Sequence, residues 1–297
     1  MAEMVPIAGL WTITKRKAVY NGPKDGQTPI GLCLYPSTFR SGEFEFSAKF
    51  KKVDPDGCAR VVLGRNPETE AYHSIGIGGY GSAYVSDVFN GRGWQLQRGA
   101  GSFEQLLVDK SYRVQVGADG QQATLIVNGV IVLKQVFPRP LPGNQVGIMT
   151  WGSGIVEFER IRIATKKPKV FVVMQFGDKY DRLYSETIRP VCRNGGYAAH
   201  RADDSRRPGI VMEDIIREII QSDVVIAEIT PRNGNVFYEL GHAHALGKPT
   251  ILIFQGKKIP FDIRARRIMF YRMTGAGIKK LRGDLKIALE SVRAETE

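Results

Sequence analysis

The stretch Asp223-Val-Val-Ile-Ala-Glu-Ile-Thr-Pro-Arg-Asn-Gly-Asn-Val-Phe-Tyr-Glu-Leu-Gly-His-Ala-His-Ala-Leu-Gly-Lys-Pro-Thr-Ile-Leu-Ile-Phe254 decides the fold of the second half of this 297-residue chain. Asp223 to Ala227 is a short β-branched run with no alternation, as in a strand covered on both faces. A polar loop follows, and then Val236 to Leu246 carries apolar residues at helical spacing. Gly247-Lys-Pro249 stops the helix, and Thr250 to Phe254 is another apolar run. Strand, helix and strand in that order form a parallel crossover unit. The pattern continues on both sides. Val170 to Met174 reads as a first strand, Lys179 to Arg193 as a helix closed by Gly195-Gly196, and Tyr197 to His200 as a second strand. A helix behind Pro208-Gly209 has Val211, Ile215, Ile216, Ile219 and Ile220 on one stripe. A short strand at Ile268 to Tyr271 and a helix near residues 278 to 293 close the series. The expectation is an α/β flavodoxin-like parallel sheet over residues 166–297, entered through the basic linker Lys166-Lys-Pro-Lys169.

The first half has a different period. Phe44, Phe46, Ala48 and Phe50 alternate with Glu45, Ser47 and Lys49, and Tyr112, Val114 and Val116 repeat the alternation. Asn128-Gly129 between β-formers is a hairpin signal. The run Val156 to Ile163 changes phase between Phe158 and Ile161, which a bulge accommodates. Most of the 33 glycines fall in this half, clustered in Gly76-Ile-Gly-Gly-Tyr-Gly81 and Gly91-Arg-Gly-Trp94. Many strands, glycine-rich turns and no long helical pattern predict an antiparallel β-sandwich of the jelly-roll kind over residues 1–165. It resembles the concanavalin-like, laminin-G-like sandwiches.

Composition bounds the rest. No apolar run is long enough to span a membrane, and the N-terminus has no secretory pattern. Cys33, Cys58 and Cys192 are too few and too scattered for a disulfide framework or a metal knuckle, so a reducing, cytoplasmic setting is expected. The net charge is +12, and after residue 165 there are 24 basic against 16 acidic residues. The basic residues are scattered and no nucleic-acid-binding motif is present, so the surplus fits a phosphate-bearing small ligand better than nucleic acid. Phosphate-binding glycine loops of the nucleotide-triphosphatase and dinucleotide types are missing, as is the hydrolase Gly-x-Ser-x-Gly.

Ligands of an open parallel sheet bind beyond the carboxyl ends of its strands. There the sequence places Gln175, Phe176 and Gly177 after the first strand, Arg201, Asp203 and Asp204 after the second, and Glu228, Thr230, Arg232, Asn233 and Asn235 after the third. The next helix carries Tyr238, Glu239 and His242. Glu239 is one turn beyond Asn235 and shares its face, with Val236, Leu240, Ala243 and Ala245 expected on the packing side. A carboxylate near a helix N-terminus is expected to stay charged. As a simpler alternative, it only opposes the helix dipole. Asp203 and Asp204 suit a ribose diol or a turn cap, Arg232 a phosphate or solvent, and Glu228 a pocket hydrogen bond or a loop cap. His242 and His244, two apart on a helix, diverge by about 200° and make no metal pair, so no metal is expected.

Together, Val170 to Gly177, Arg201-Ala-Asp-Asp204, Asp223 to Thr230, Arg232-Asn-Gly-Asn-Val-Phe-Tyr-Glu-Leu-Gly241 and His244 to Pro249 resemble the nucleoside 2-deoxyribosyltransferase-like family, whose fold and glutamate chemistry are shared by NAD-cleaving TIR domains. The resemblance implies cleavage of an N-glycosidic bond at C1′ of a ribose or deoxyribose. It casts Glu239 as nucleophile, Asp204 or Asp203 as the aspartate that orients base or sugar, and Asn233 and Asn235 as the loop over the ribose. This chain has Gln175 where the family has proline, and Glu228 where it has aspartate. The main expectation is hydrolysis of NAD, as substrate and not cofactor, by a regulated, oligomeric bacterial antiviral-defence effector. The alternatives are base exchange by a nucleoside 2-deoxyribosyltransferase and a non-catalytic nucleotide-binding signalling module. The sandwich would then sense or assemble, with a protein, a small molecule or a carbohydrate as ligand. Trp11, Trp94 and Trp151 are the candidates to stack on a sugar, unless they only pack.

Overall fold

The computed structural model describes residues 4–23, 28–52, 56–204, 211–230, 233–256, 263 and 266–294. The chain divides into two compact units, one of Met1–Phe137 with Leu141–Lys166, the other of Lys167–Glu297 with Pro138–Pro140.

The first unit is a sandwich of two seven-stranded antiparallel sheets. One runs in the order β1 (Val5–Ala8), β4 (Ile30–Thr38), β13 (Gln145–Trp151), β6 (Cys58–Arg65), β7 (Tyr72–Gly78), β8 (Ser82–Phe89), β9 (Trp94–Ser102). The other runs β12 (Val130–Val136), β11 (Gln122–Val127), β10 (Ser111–Asp119), β5 (Gly42–Phe50), β14 (Val156–Thr165), β3 (Lys17–Tyr20), β2 (Trp11–Ile13). Period-two alternation builds the core. Phe44, Phe46, Ala48 and Phe50 of β5 and Val114 and Val116 of β10 meet Ala59, Val61, Leu63, Ile75 and Ile77 from the facing sheet. Each such aliphatic or aromatic side chain contributes about 1.5–3 kcal/mol on burial. Asn128 and Gly129 both take positive φ (52° and 85°), the mirror-image turn that matches strand twist. The expected bulge in β14 is present. Pairing with β5 shifts between Glu159 and Arg162, and Arg160 sits at φ 54°. Trp11 is a packing residue. Its ring lies against Tyr20 and Phe158, and its Nε1 donates to the Ala8 carbonyl at 2.7 Å.

The second unit is a five-stranded parallel sheet in the order β16 (Ala198–Arg201), β15 (Lys169–Val173), β17 (Val224–Glu228), β18 (Thr250–Phe254), β19 (Ile268–Phe270). On one face Val170, Val172, Val224, Ile226, Ile251 and Ile253 pack with Leu183, Ile188 and Cys192 and with Leu281, Leu285 and Leu289 of α5 (Gly275–Ala294). On the other, Phe171, Val173, Val225, Ala227 and Leu252 meet Ile215 and Ile219 of α3 (Val211–Gln221) and Val236, Leu240 and Ala243 of α4 (Gly234–Ala245). Ala245, expected on the packing side, is exposed because it lies beyond the stripe set by residues 236, 240 and 243.

The helix expected over Lys179 to Arg193 is three pieces: α1 (Asp178–Leu183), a π turn (Tyr184–Ile188) and α2 (Arg189–Asn194). Pro190 has no N–H to offer the Glu186 carbonyl one turn back, and the wider turn relieves that clash. The Glu186 carbonyl instead accepts from Arg282 at 2.9 Å. Part of the Asp54–Gly57 turn, and Pro208-Gly209, fall outside the described residues. No helix of the described residues is long and apolar enough to cross a membrane.

Candidate functional site

Three groups of side chains stand at the carboxyl ends of β15, β16 and β17. The first is organised by Arg201, the last residue of β16. Its guanidinium ion-pairs with Asp203 and with Asp181 (2.7 Å) and faces the rings of Phe176 and Tyr184, at 5.3 and 4.9 Å. Asp203 and Asp204 lie in a 3-10 turn, Ala202–Asp204, that follows β16 directly. Asp204 accepts from the Tyr184 hydroxyl at 2.7 Å and from the Arg201 amide at 3.0 Å. Loops after two strands and the π turn thus converge on one guanidinium, only 7% exposed, whose fixed fork sets the spacing of its acidic partners. Gly177 begins α1 at φ 131°, a conformation reserved for glycine, and a Cβ there would meet open space. Phe176 is exposed and Gln175 half-buried.

The second group surrounds Glu228. The sequence reading placed this residue where the third strand ends and its loop begins. In the structure it is the last residue of β17 and fully buried, on the same face as Val224 and Ile226. Its Oε1 accepts from the Thr230 hydroxyl, the Thr230 amide (3.3 Å) and the Tyr271 hydroxyl (3.1 Å), while Oε2 has no hydrogen-bond partner among the described residues. Burial raises its pKa above the ordinary carboxylate range, against the opposing pull of those donors.

The third group is on α4, across the sheet from Glu228. Asn233 caps the helix, its side chain accepting from the Asn235 amide at 2.9 Å. Asn235 is exposed in the first turn, and the exposed Tyr238 packs its ring edge-on to His242 at 4.6 Å. Glu239 stands in the second turn and is half-buried, with no hydrogen bond or ion pair among the described residues. Burial lifts its pKa from 4.5 to about 7. The charge state expected from helix position is therefore corrected. The dipole fades beyond the first turn, and loss of water outweighs it. Among the described residues, no hydrogen bond or ion pair joins this group to the other two. Arg232 falls outside the described residues.

Asp181 and Tyr184 escaped the sequence reading because neither lies in a strand-end loop, and Tyr271, the residue directly after β19, was read only as the end of that strand. Tyr184, the first residue of the π turn, reaches Asp204 across 20 residues of sequence. Among the described residues, no cluster of three or more metal-ligating side chains occurs.

No family model matches this chain, and no curated protein matches it either. Solved structures do. A carbohydrate-binding module from Bacillus subtilis matches with a TM-score of 0.46 at 12% identity, over 54% of this chain and 94% of that one. A galectin from Caenorhabditis elegans matches with a TM-score of 0.34 at 16% identity, over 51% and 99%. A 2-deoxyribosyltransferase from Bacillus psychrosaccharolyticus matches with a TM-score of 0.32 at 17% identity, over 40% and 90%. At such identities the likeness is one of fold alone.

Proposed function

We propose that the α/β unit breaks the N-glycosidic bond of a nucleoside at C1′, and that 2-deoxyribosyl transfer between bases is the reaction. One observation carries the proposal: a carboxylate, Glu239, held half-buried on α4 with no donor among the described residues and a pKa of about 7. A catalytic acid or nucleophile is useful when it titrates near the working pH, and burial without a partner is how a fold achieves that. Ionised Glu239 attacks C1′ and forms a C1′–O bond. The C1′–N bond breaks, its electron pair passes to the departing base, and that base takes a proton from water. A nitrogen of a second base then attacks C1′, loses its proton and releases Glu239. Asp203 and Asp204, held by Arg201 and Tyr184, would accept from sugar hydroxyls or the base.

The basic surplus after residue 165 favours a second reading, cleavage of NAD by the same glutamate with water as acceptor, under control of an assembled sandwich. Its leaving group, a pyridinium, departs without protonation.

Incubation of concentrated protein with a 2′-deoxynucleoside plus a free base, and separately with NAD, followed by product mass, tests both readings. Exchanged deoxynucleoside, lost in Glu239→Gln, supports transfer. Nicotinamide release lost in the same variant replaces it with the NAD reading. Ligand binding without turnover at any protein concentration leaves a non-catalytic signalling module.

A further inference from the structure

A groove of about 650 Å³ lies between the end of α2 and the second half of α5. Both helices run back along the parallel strands, and α2 ends just before β16 begins. The groove therefore stands toward the amino ends of the strands, away from the carboxyl-end site. None of the residues of the candidate site lines it.

The α5 wall is basic. Leu281, Leu285 and Leu289 turn one stripe of this helix into the core. Arg282, Lys286 and Arg293 recur at helical spacing beside that stripe and line the groove, with Glu290 as the one acid among them. Arg282 Nη2 donates to the Glu186 carbonyl at 2.9 Å, which fixes the guanidinium and uses one of its five N–H groups. Lys286 Nζ lies 3.8 Å from Glu290, and both side chains are more than 60% exposed, so water and salt weaken that pair and an incoming carboxylate can exchange with it. The end of α2 does not account for these cations. Its Val191, Cys192 and Arg193 carbonyls already accept from the Gly195, Tyr197 and Gly196 amides.

The walls are also bare. Gly195 and Gly196 line the α2 side and Gly283 the α5 side. Gly283 sits inside a 20-residue helix, where glycine is the least favourable residue after proline. A Cβ there would meet nothing within 4 Å, so no packing within the described residues calls for a glycine. The space over it is kept open toward the groove.

Charge and shape select the occupant. Three cations against one acid suit an anionic partner, and a second copy of a chain with net charge +12 would be repelled. No aromatic side chain lines the groove, so a nucleic acid strand would find no stacking surface. Glu290 would repel a phosphate chain, whereas a peptide has backbone N–H groups to give it. Val191 and Leu289 add apolar surface for an aliphatic side chain. From residue 282 to 293 the wall is about 16 Å long, the span of about five extended residues. We propose that this groove docks an acidic segment of a partner protein, with its carboxylates on Arg282, Lys286 and Arg293 and an aliphatic side chain between them.

The full chain, passed at 0.15 M salt over an array of ten-residue peptides in which Asp or Glu is mixed with Leu, Ile or Val, tests this. The same peptides with Lys for each acid, single-stranded and duplex DNA, and vesicles containing an anionic lipid stand beside them. Retention on acidic peptides is expected, weakened at least tenfold by Lys286→Glu and by Gly283→Leu. Gly283→Leu changes no charge, so it separates a shaped groove from general attraction to anions. Leucine is also the better helix former, so this variant keeps or raises the melting temperature. Three outcomes overturn the proposal: no acidic peptide is retained, DNA or vesicles are retained more strongly than every peptide, or Gly283→Leu binds as the wild type does.

Discussion

Replacing Glu239 by glutamine should make the protein more stable at pH 8 and leave its stability at pH 4 unchanged. In the native state this carboxyl titrates at about 7, against 4.5 for an unperturbed glutamate. Below pH 4.5 both native and unfolded chains carry the proton, and the group makes no difference. Between pH 4.5 and 7 the native state holds a proton that the unfolded chain has lost, so stability falls as pH rises, and it levels off above 7. Each pKa unit corresponds to about 1.4 kcal/mol. Discounted for the water that still reaches a half-buried group, the destabilisation at pH 8 is about 2 kcal/mol. Glutamine keeps the shape and never ionises, so it recovers that amount, an increase of roughly 6–10 °C in the melting transition of a unit this size. Calorimetry of wild type and variant at pH 4, 6 and 8 reads the difference, and the transition of the α/β unit is the one that should move. A variant equal to or less stable than wild type at pH 8 would refute the reasoning, because the carboxylate would then have a donor that offsets its burial. The measurement needs no substrate and is independent of which reaction the site performs.

Three further outcomes are expected. Catalysis by ionised Glu239 should follow its titration, with turnover rising about 30-fold from pH 5.5 to pH 8 and reaching its plateau above about pH 8, read from initial rates across buffers. Arg60→Met should cost about 3–5 kcal/mol in denaturant unfolding because it strands the buried Asp87, and Asp87→Leu in the same chain should recover most of it. Asn233→Ala should cost about 1 kcal/mol, since the α4 amide it caps loses its acceptor, and Asn233→Ser should restore it.

How much of the site was legible varies by residue. Tyr238 and Glu239 were placed on one helix because a 3.6-residue period is a local property, whereas Asn235, read in the preceding loop, lies in the first turn of α4. Glu228 was legible as a strand-end residue, but its full burial was not, since nothing local shows whether a terminal strand side chain meets the core or a loop. Tyr184 and Asp204 are 20 residues apart, and only the tertiary fold brings Tyr184, in the π turn, onto Asp204.

The order of strands and helices, the antiparallel first half, the parallel second half, the Asn128-Gly129 hairpin and the β14 bulge were all written in residue spacing, because backbone geometry repeats every two or 3.6 residues whatever surrounds it. Tertiary structure alone decided that Glu239 holds its proton to about pH 7, that Arg201 gathers the strand-end acids, and that Trp11 packs on Tyr20 and Phe158 while Trp94 packs on Tyr72 and Phe89. Those outcomes depend on how much water and which partners distant segments leave at a side chain, and no local pattern encodes either.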